Sequence, residues 1–258
     1  MQELNESREE DPLFLDSVAR SFHVLECFKL GSRELSNGEI QKITGYTFQT
    51  VNRITKTFEA EGYLVKNERK KTFQLSIKAI DLQFKFLSTN PIVKLVWPIL
   101  VDLREKTKGR VSYCILDHCD IVYLARVAAE ATDYQTSIVG RRRPALATAG
   151  GRAILSQIPT DEVQKILVAS DLQAQTPHSL TDKNKILEEI QSTYKRGYAI
   201  TNQETLLGEL SCAVPVFGGD EKPVGAIVLS VSNDTYSVEN ATAQLVPLLR
   251  AAARSASL

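Results

Sequence analysis

The chain has 258 residues, and its 31 basic side chains equal its 31 acidic ones in number. This length predicts two compact domains, and the zero net charge excludes a general binder of polyanions. No uninterrupted apolar stretch reaches the ~18 residues of a membrane span, and the N-terminus lacks the basic and apolar segments of a signal peptide. We therefore expect a cytoplasmic protein in which residues 1–12 form a disordered tail.

Residues 13–75 carry the pattern of a winged helix-turn-helix domain. Ser36 and Glu39 form a capping box that predicts a helix start, and Gly45 supplies the positive φ that would end this helix. Thr47 can cap a second helix, in which apolar residues recur at the spacing of one buried face. A capped helix, a tight turn and a second helix with polar outer residues are what a helix-turn-helix requires.

The outer face of the second helix carries side chains suited to DNA. Gln and Asn can form two hydrogen bonds with adenine, Arg can do the same with guanine, and Thr and Lys suit phosphates or thymine methyl groups. Any solvated helix face is polar, but the capped helix and turn before this one favour a recognition helix. The predicted contacts are Thr47, Gln49, Thr50, Asn52, Arg53 and Lys56.

A basic hairpin follows, and it predicts the wing of the domain. Alternating apolar residues at 63–66 and 72–75 flank a polar turn. Residues 47–71 hold six basic and three acidic side chains, so the excess of positive charge lies where a wing would meet phosphates. The predicted wing contacts are Lys66, Arg69, Lys70 and Lys71, and the predicted partner is double-stranded DNA.

Residues 76–90 read as a linker helix whose apolar positions exceed one face, so it would pack against both domains or a partner chain. Residues 91–258 mix helices with hairpins, which predicts an α+β domain with an antiparallel sheet. Thr160 and Thr181 are the expected caps of two of its helices. The expected helices are 92–106, 161–169, 183–196 and 238–254. The expected strands are 110–116, 121–127, 134–139, one that begins at 197–200, 211–217 and 224–231.

Cys114, His118 and Cys119 lie close together in sequence and raise the question of a metal site. They fall on a strand, a turn and a strand, without the paired spacing of zinc ligands. We therefore favour isolated thiols in a reducing compartment and predict no metal and no cofactor.

Seven short segments carry a family resemblance, namely 17–21, 50–53, 59–64, 147–153, 180–182, 196–199 and 212–216. In this order, from residue 17 to about residue 253, they resemble the IclR-type family of bacterial transcription regulators. This resemblance implies a winged helix-turn-helix domain, a linking helix, and a GAF-like α+β domain that binds a small organic effector and oligomerises. It also implies homodimers or tetramers on palindromic operators.

The chain departs from the family's pattern near the expected effector pocket. Leu146 stands where a His is common, Thr201-Asn202 stands where an acidic pair is common, and Ser211 matches a common Cys. The ligand therefore cannot simply be inherited from the family.

The residues favour a carboxylate effector, such as an aromatic acid from a degradation pathway. A helix start offers backbone N–H groups to an anion, late serines offer hydroxyl groups, and Arg143 can bind a carboxylate through two hydrogen bonds. The alternative is that the arginines are solvated and the small residues serve helix packing. The predicted effector contacts are Arg143, Thr148, Ala149, Gly150, Asn202, Ser211, Ser230 and Ser232.

Two other functional classes were weighed against a ligand-responsive regulator. An enzyme is disfavoured because His23, His118 and His178 lie in no catalytic motif, and Ser211 lacks the glycine-flanked elbow of a hydrolase. A winged-helix interaction adaptor without a small ligand stays open. The sequence predicts no catalytic residues, and it leaves repression or activation and the operator undetermined.

Overall fold

The structure is a computed structural model that describes residues 12–29, 34–129 and 138–257. The chain divides into two compact units, residues 1–86 and 87–258, and this boundary falls within the predicted linker. The predicted tail lies outside the described residues except for Pro12.

The first unit is a three-helix bundle with a small antiparallel sheet. Its core is built around Val24, Ile40 and Val51, which have no exposed surface. Sheet order is β1-β3-β2, and the short strand β1 was not predicted. The elements are α1 (Asp16–Leu25), β1 (Leu35–Ser36), α2 (Asn37–Thr44), α3 (Phe48–Ala60), β2 (Leu64–Asn67) and β3 (Thr72–Leu75), followed by α4 (Lys78–Thr89).

Local hydrogen bonds fix the turn between α2 and α3, as the sequence predicted. The Glu39 carboxylate accepts the backbone N–H of Ser36 at 2.7 Å, and the Ser36 hydroxyl accepts the N–H of Glu39 at 3.3 Å. Gly45 ends α2 with φ of 73°, and Thr47 caps α3 through the N–H of Thr50. These bonds use backbone groups that a helix end leaves without partners, so both helix limits are well defined.

The second unit is built on a six-stranded antiparallel sheet of order β6-β5-β4-β9-β8-β7, which confirms the predicted α+β class. The elements are α5 (Pro91–Thr107), β4 (Arg110–Asp117), β5 (Asp120–Val127), β6 (Arg142–Pro144), α6 (Ala149–Leu155), α7 (Thr160–Ala169), α8 (Lys183–Arg196), β7 (Ala199–Asn202), β8 (Glu209–Phe217), β9 (Pro223–Ser232) and α9 (Val238–Ala256).

Helices cover both faces of this sheet. Tyr113 faces a core formed with α5 and α9, whereas the next residue, Cys114, faces a core formed with α6, α7 and α8. Successive strand residues point to opposite faces, so each central strand is buried on both sides. This is why the central strands read as nearly continuous apolar runs.

Three local predictions for this unit need correction. Of the expected strand 134–139, residues 134–137 lie outside the described residues, and Ile138 and Val139 belong to no strand. The third strand is instead β6, which pairs with β5. Helix α7 follows Pro159 without a side-chain cap, and Asp182 rather than Thr181 caps α8. A neighbouring polar residue was mistaken for the cap in both cases.

Two further findings concern cysteine chemistry and the membrane. Cys114 is fully buried, which raises the pKa of its thiol to about 12, and His118 occupies the β4–β5 turn with φ of 55°.

Within the described ranges no single helix is long and apolar enough to cross a membrane, although α4 and α5 taken together reach that length and apolarity.

Candidate functional site

The recognition helix α3 presents one polar face to solvent. Gln49, Arg53 and Lys56 are exposed on it, whereas Val51 and Thr55 on the opposite side are buried. One turn of helix separates Gln49 from Arg53 and Arg53 from Lys56, so the three side chains form a continuous row. A row of this kind has the dimensions needed to enter a major groove.

Other residues predicted to contact DNA from α3 are engaged within the protein. The Asn52 carboxamide oxygen accepts a hydrogen bond from Asn37 at 3.1 Å, and Asn37 in turn accepts the Thr55 hydroxyl at 3.1 Å. The Thr47 and Thr50 hydroxyl groups bond each other at 2.9 Å. A carboxamide oxygen can accept a second hydrogen bond, so the Asn37 contact restrains the orientation of Asn52 without excluding a pair of bonds to adenine.

The predicted wing is a hairpin in which two of the four basic residues are paired with carboxylates. Lys66 Nζ lies 2.8 Å from Glu68, and Lys70 Nζ lies 3.2 Å from Glu34. Glu34 also accepts the Thr72 hydroxyl at 2.9 Å, and these hydrogen bonds lower the pKa of its carboxyl group. The remaining two basic residues, Arg69 and Lys71, are exposed at the tip.

In the second unit, one end of the sheet carries a polar stripe across three neighbouring strands. Arg110 on β4 pairs with Ser230 on β9, which pairs with Ser211 on β8. Ser211 and Ser230 join their hydroxyl groups at 2.7 Å, and each is under a tenth exposed. Glu209 lies two residues before Ser211 on the same face of β8, and its carboxylate pairs with Arg110.

A small cavity of about 30 Å³ lies at this end of the sheet, and arginines dominate its lining. Four guanidinium groups face one carboxylate there, so the lining is strongly positive. The lining residues are Arg110, Tyr123, Arg126, Arg141, Arg143, Thr148, Thr205, Leu206 and Glu209.

Arg126 is the most constrained of these arginines. Its Nε donates to the Ser112 hydroxyl at 3.2 Å, and its guanidinium carbon lies 3.9 Å from the centre of the Tyr123 ring. Its Nη1 is buried and has no hydrogen-bond partner among the described residues. Burial lowers the pKa of Arg126 to about 10 and raises the pKa of Tyr123 to about 12.

An open groove of about 670 Å³ adjoins the cavity and shares Arg110, Leu206 and Glu209 with it. Leu206 and Leu207 are 44% and 59% exposed, so the groove offers an apolar wall. Ser230 and Ser232 also line the groove and add hydroxyl groups to it. An elongated molecule with one anionic end therefore has room in the groove and charge partners in the cavity.

A buried ion pair holds the turn that covers the cavity. Arg152 is 1% exposed, and two of its nitrogens donate to the Glu204 carboxylate at 3.0 and 2.6 Å. Its Nε donates to the Leu146 carbonyl at 2.8 Å. Glu204 directly precedes Thr205 and Leu206, which line the cavity. The ion pair of Arg152 with Glu204 therefore helps to hold these two residues in place.

Of the eight predicted effector residues, four line the cavity or the groove, one is bonded to a lining residue, and three lie elsewhere. Arg143 and Thr148 line the cavity, Ser230 and Ser232 line the groove, and Ser211 bonds Ser230 beneath them. Ala149, Gly150 and Asn202 line neither space; Asn202 is exposed on the edge strand β7.

Ala149 and Gly150 belong to the apolar core, which corrects the predicted anion site at this helix start. A Cβ on Gly150 would lie 2.7 Å from Cys114 Sγ and 2.8 Å from a Val228 methyl group. The N–H of Gly151 is already used by the Thr148 hydroxyl at 3.1 Å. The small residues therefore allow α6 to pack closely on the sheet.

Sequence reasoning missed Arg110, Tyr123, Arg126 and Glu209 at this site. The sequence predicts a strand for Tyr123 and Arg126, but no local pattern in it shows that both side chains face the same cavity. A polar residue within an otherwise apolar strand, such as Arg126, was the signal that could have marked it.

A winged helix-turn-helix unit followed by an α+β unit with a polar cavity is the architecture of a DNA-binding transcription regulator. The IclR helix-turn-helix model matches residues 17–68, and the model of the bacterial transcriptional regulator IclR C-terminal domain matches residues 84–258. The chain therefore belongs to the IclR family of bacterial transcriptional regulators, and the expectation of a regulator rather than an enzyme is confirmed.

Individual relatives agree with this assignment. The Pca regulon regulatory protein of Pseudomonas putida is 27% identical, with 95% of this chain and 84% of that protein aligned. An IclR family regulator from Brucella abortus, solved by crystallography, has a TM-score of 0.83 at 26% identity over 96% of this chain and 94% of that one. An IclR homologue from Microbacterium hydrocarbonoxydans in complex with 4-hydroxybenzoate shares the fold, with a TM-score of 0.76 at 18% identity over 94% and 98%.

Proposed function

We propose that this regulator responds to a small carboxylic acid, aromatic in its body, that binds with its carboxylate among Arg110, Arg126 and Arg143. The observation that carries the proposal is the buried Nη1 of Arg126, which has no partner among the described residues. A buried donor without a partner costs free energy, and an incoming carboxylate would relieve that cost.

The surroundings of the arginines favour an aromatic body over an aliphatic one. The Tyr123 ring supports Arg126 from one side at 3.9 Å, and the groove offers the exposed Leu206 and Leu207 and the ring of Tyr236. Flat apolar molecules gain most from such surfaces. The Microbacterium homologue was solved with 4-hydroxybenzoate, which supports the same ligand class here.

Isothermal titration with 4-hydroxybenzoate and other small aromatic acids tests this proposal. Arg126→Ala should weaken binding by about 10- to 100-fold, since a charged hydrogen bond is worth ~1.5–3 kcal/mol. Arg254→Ala, an exposed arginine of α9, is the matched control and should bind like wild type. Unchanged affinity in Arg126→Ala would remove the cavity from the ligand site.

The DNA half of the proposal assigns base contacts to Gln49 and Arg53 and phosphate contacts to Lys56, Arg69 and Lys71. Their exposure on α3 and at the hairpin tip supports this assignment. The operon would be catabolic, and the protein would act in the bacterial cytoplasm as a homodimer or tetramer on a palindromic operator. If no acid raises the unfolding temperature of the protein, the alternative of an adaptor without a small ligand gains support.

A further inference from the structure

One ion pair separates the arginine cavity from the open groove. Arg110 and Glu209 line both spaces, and their side chains are only 16% and 15% exposed. Leu206 is the third residue that lines both spaces, so the boundary combines this ion pair with one apolar side chain.

Glu209 makes the contacts that a bound carboxylate would make. One oxygen pairs with Arg110, and the other accepts the Ser211 hydroxyl at 3.1 Å. Because the Ser211 proton is used in that bond, the 2.7 Å contact between Ser211 and Ser230 has Ser230 as its donor. Ser211 and Arg110 thus both donate to the Glu209 carboxylate, and Ser230 donates to Ser211.

The cavity keeps more donors than this anion satisfies. Arg110 Nε and Arg126 Nη1 are buried without hydrogen-bond partners among the residues that the structure describes. Arg141 and Arg143 are the other arginines of the lining, and Arg143 donates its Nη1 to Gln175 at 2.8 Å. A second carboxylate would therefore find partners, but it would also lie close to the Glu209 charge.

We propose that Glu209 is an internal competitor of the effector, so that an acid reaches Arg110 Nη2 only by displacing the Glu209 carboxylate. This inference rests on the proposed function, because it concerns the same site. Ligands are then selected by whether their acid group interacts with the arginines better than Glu209 does.

Displacement of the Glu209 carboxylate would also affect the turn between Gln203 and Glu209, which carries the cavity residue Leu206. The Glu209 carbonyl accepts the N–H of Gln203 at 2.7 Å, and its own N–H donates to the Leu206 carbonyl at 3.2 Å. The backbone of Glu209 thus closes the turn that begins at Gln203 and carries Leu206.

The test compares full-length wild type, Glu209→Gln and Glu209→Asp in calorimetric titrations with 4-hydroxybenzoate and with its neutral amide, 4-hydroxybenzamide. Glutamine removes the competing charge but keeps the shape, so 4-hydroxybenzoate should bind Glu209→Gln about tenfold more tightly than wild type. Affinity for the amide should change far less, and Glu209→Asp, which keeps the charge, should show no such gain.

Equal or weaker binding of 4-hydroxybenzoate by Glu209→Gln, in a variant that unfolds at the wild-type temperature, would overturn the competitor role alone. If neither wild type nor any variant bound any aromatic acid, the proposed function would fail together with it. Tighter binding of the acid and the amide alike would also count against the competitor, since the gain would then not depend on charge.

Discussion

Tyr123 and Arg126 stack on one another, although they lie three residues apart on the same strand. In a regular strand such residues face opposite sides of the sheet. The pairing of β4 with β5 shifts register between Tyr113 and Cys114, and Cys114 pairs with Tyr123 while Tyr113 pairs with Ala125. This bulge turns Arg126 to the side of Tyr123, so both line the cavity.

The stacking leads to a prediction for the effector site. Tyr123→Leu should lower the affinity for 4-hydroxybenzoate about 2- to 30-fold, because cation–π support of ~0.5–2 kcal/mol that orients Arg126 is lost. Tyr123→Phe keeps the ring and should bind nearly like wild type. Calorimetric titration of the three proteins is the measurement, and equal affinity of Tyr123→Leu and wild type would contradict the orienting role.

Arg53 and Lys71 should affect DNA binding in different ways. Arg53→Ala should cost roughly 1–3 kcal/mol and relax the preference at one operator position, as expected of a base contact. Lys71→Ala should weaken binding to all sequences alike, as expected of a phosphate contact. It should also reduce the slope of log affinity against log salt concentration by about one. Mobility-shift titrations at several salt concentrations distinguish the two, and wild-type behaviour of both variants would refute the interface.

Glu34 should restrain DNA binding by the wing. Its carboxylate holds Lys70 at 3.2 Å, so part of the charge of Lys70 is neutralised before DNA arrives. Glu34→Gln should therefore increase affinity for DNA a few-fold and steepen its salt dependence, since like charge near phosphate opposes binding. Glu61→Gln, an exposed glutamate outside the hairpin, is the control. A loss of affinity in Glu34→Gln would mean that Glu34 positions the wing instead.

Gly150→Ala should destabilise the second unit by about 1–3 kcal/mol, because its Cβ would meet Cys114 Sγ at 2.7 Å inside a packed core. Gly38→Ala, whose nearest contact would be Ser36 Oγ at 4.0 Å, should be neutral or stabilising. Thermal denaturation of both variants gives the comparison. A Gly150→Ala protein as stable as wild type would show that the sheet yields easily at this point.

The apolar surface of α4 predicts self-association. Ile80 and Phe84 lie one helical turn apart and are 56% and 69% exposed. We expect a second copy of the chain to pack against them. A double variant, Ile80→Ser with Phe84→Ser, should sediment as a smaller species than wild type, whereas Asp81→Ser on the same helix should not. An unchanged sedimentation coefficient would assign this surface to another role.

The sequence by itself determined the helix-turn-helix and the central strands of the sheet in the second unit. The bond between Ser36 and Glu39 and the positive φ of Gly45 act over three or four residues, so they form wherever that segment folds. The apolar runs of β8 and β9 likewise require burial on both faces, whatever lies above them. Local signals of this kind can be read without a tertiary structure.

Tertiary structure alone decided the chemistry of both sites. Lys70 meets Glu34 across 36 positions of sequence, and Arg110 meets Glu209 across 99, so neither pair leaves a local pattern. The bulge that places Arg126 beside Tyr123 depends on the register of β4 against β5. Charges brought together by folding neutralise or compete with one another, and this is why a count of basic residues predicts the wing but neither the arginine cavity nor which side chains are available to a ligand.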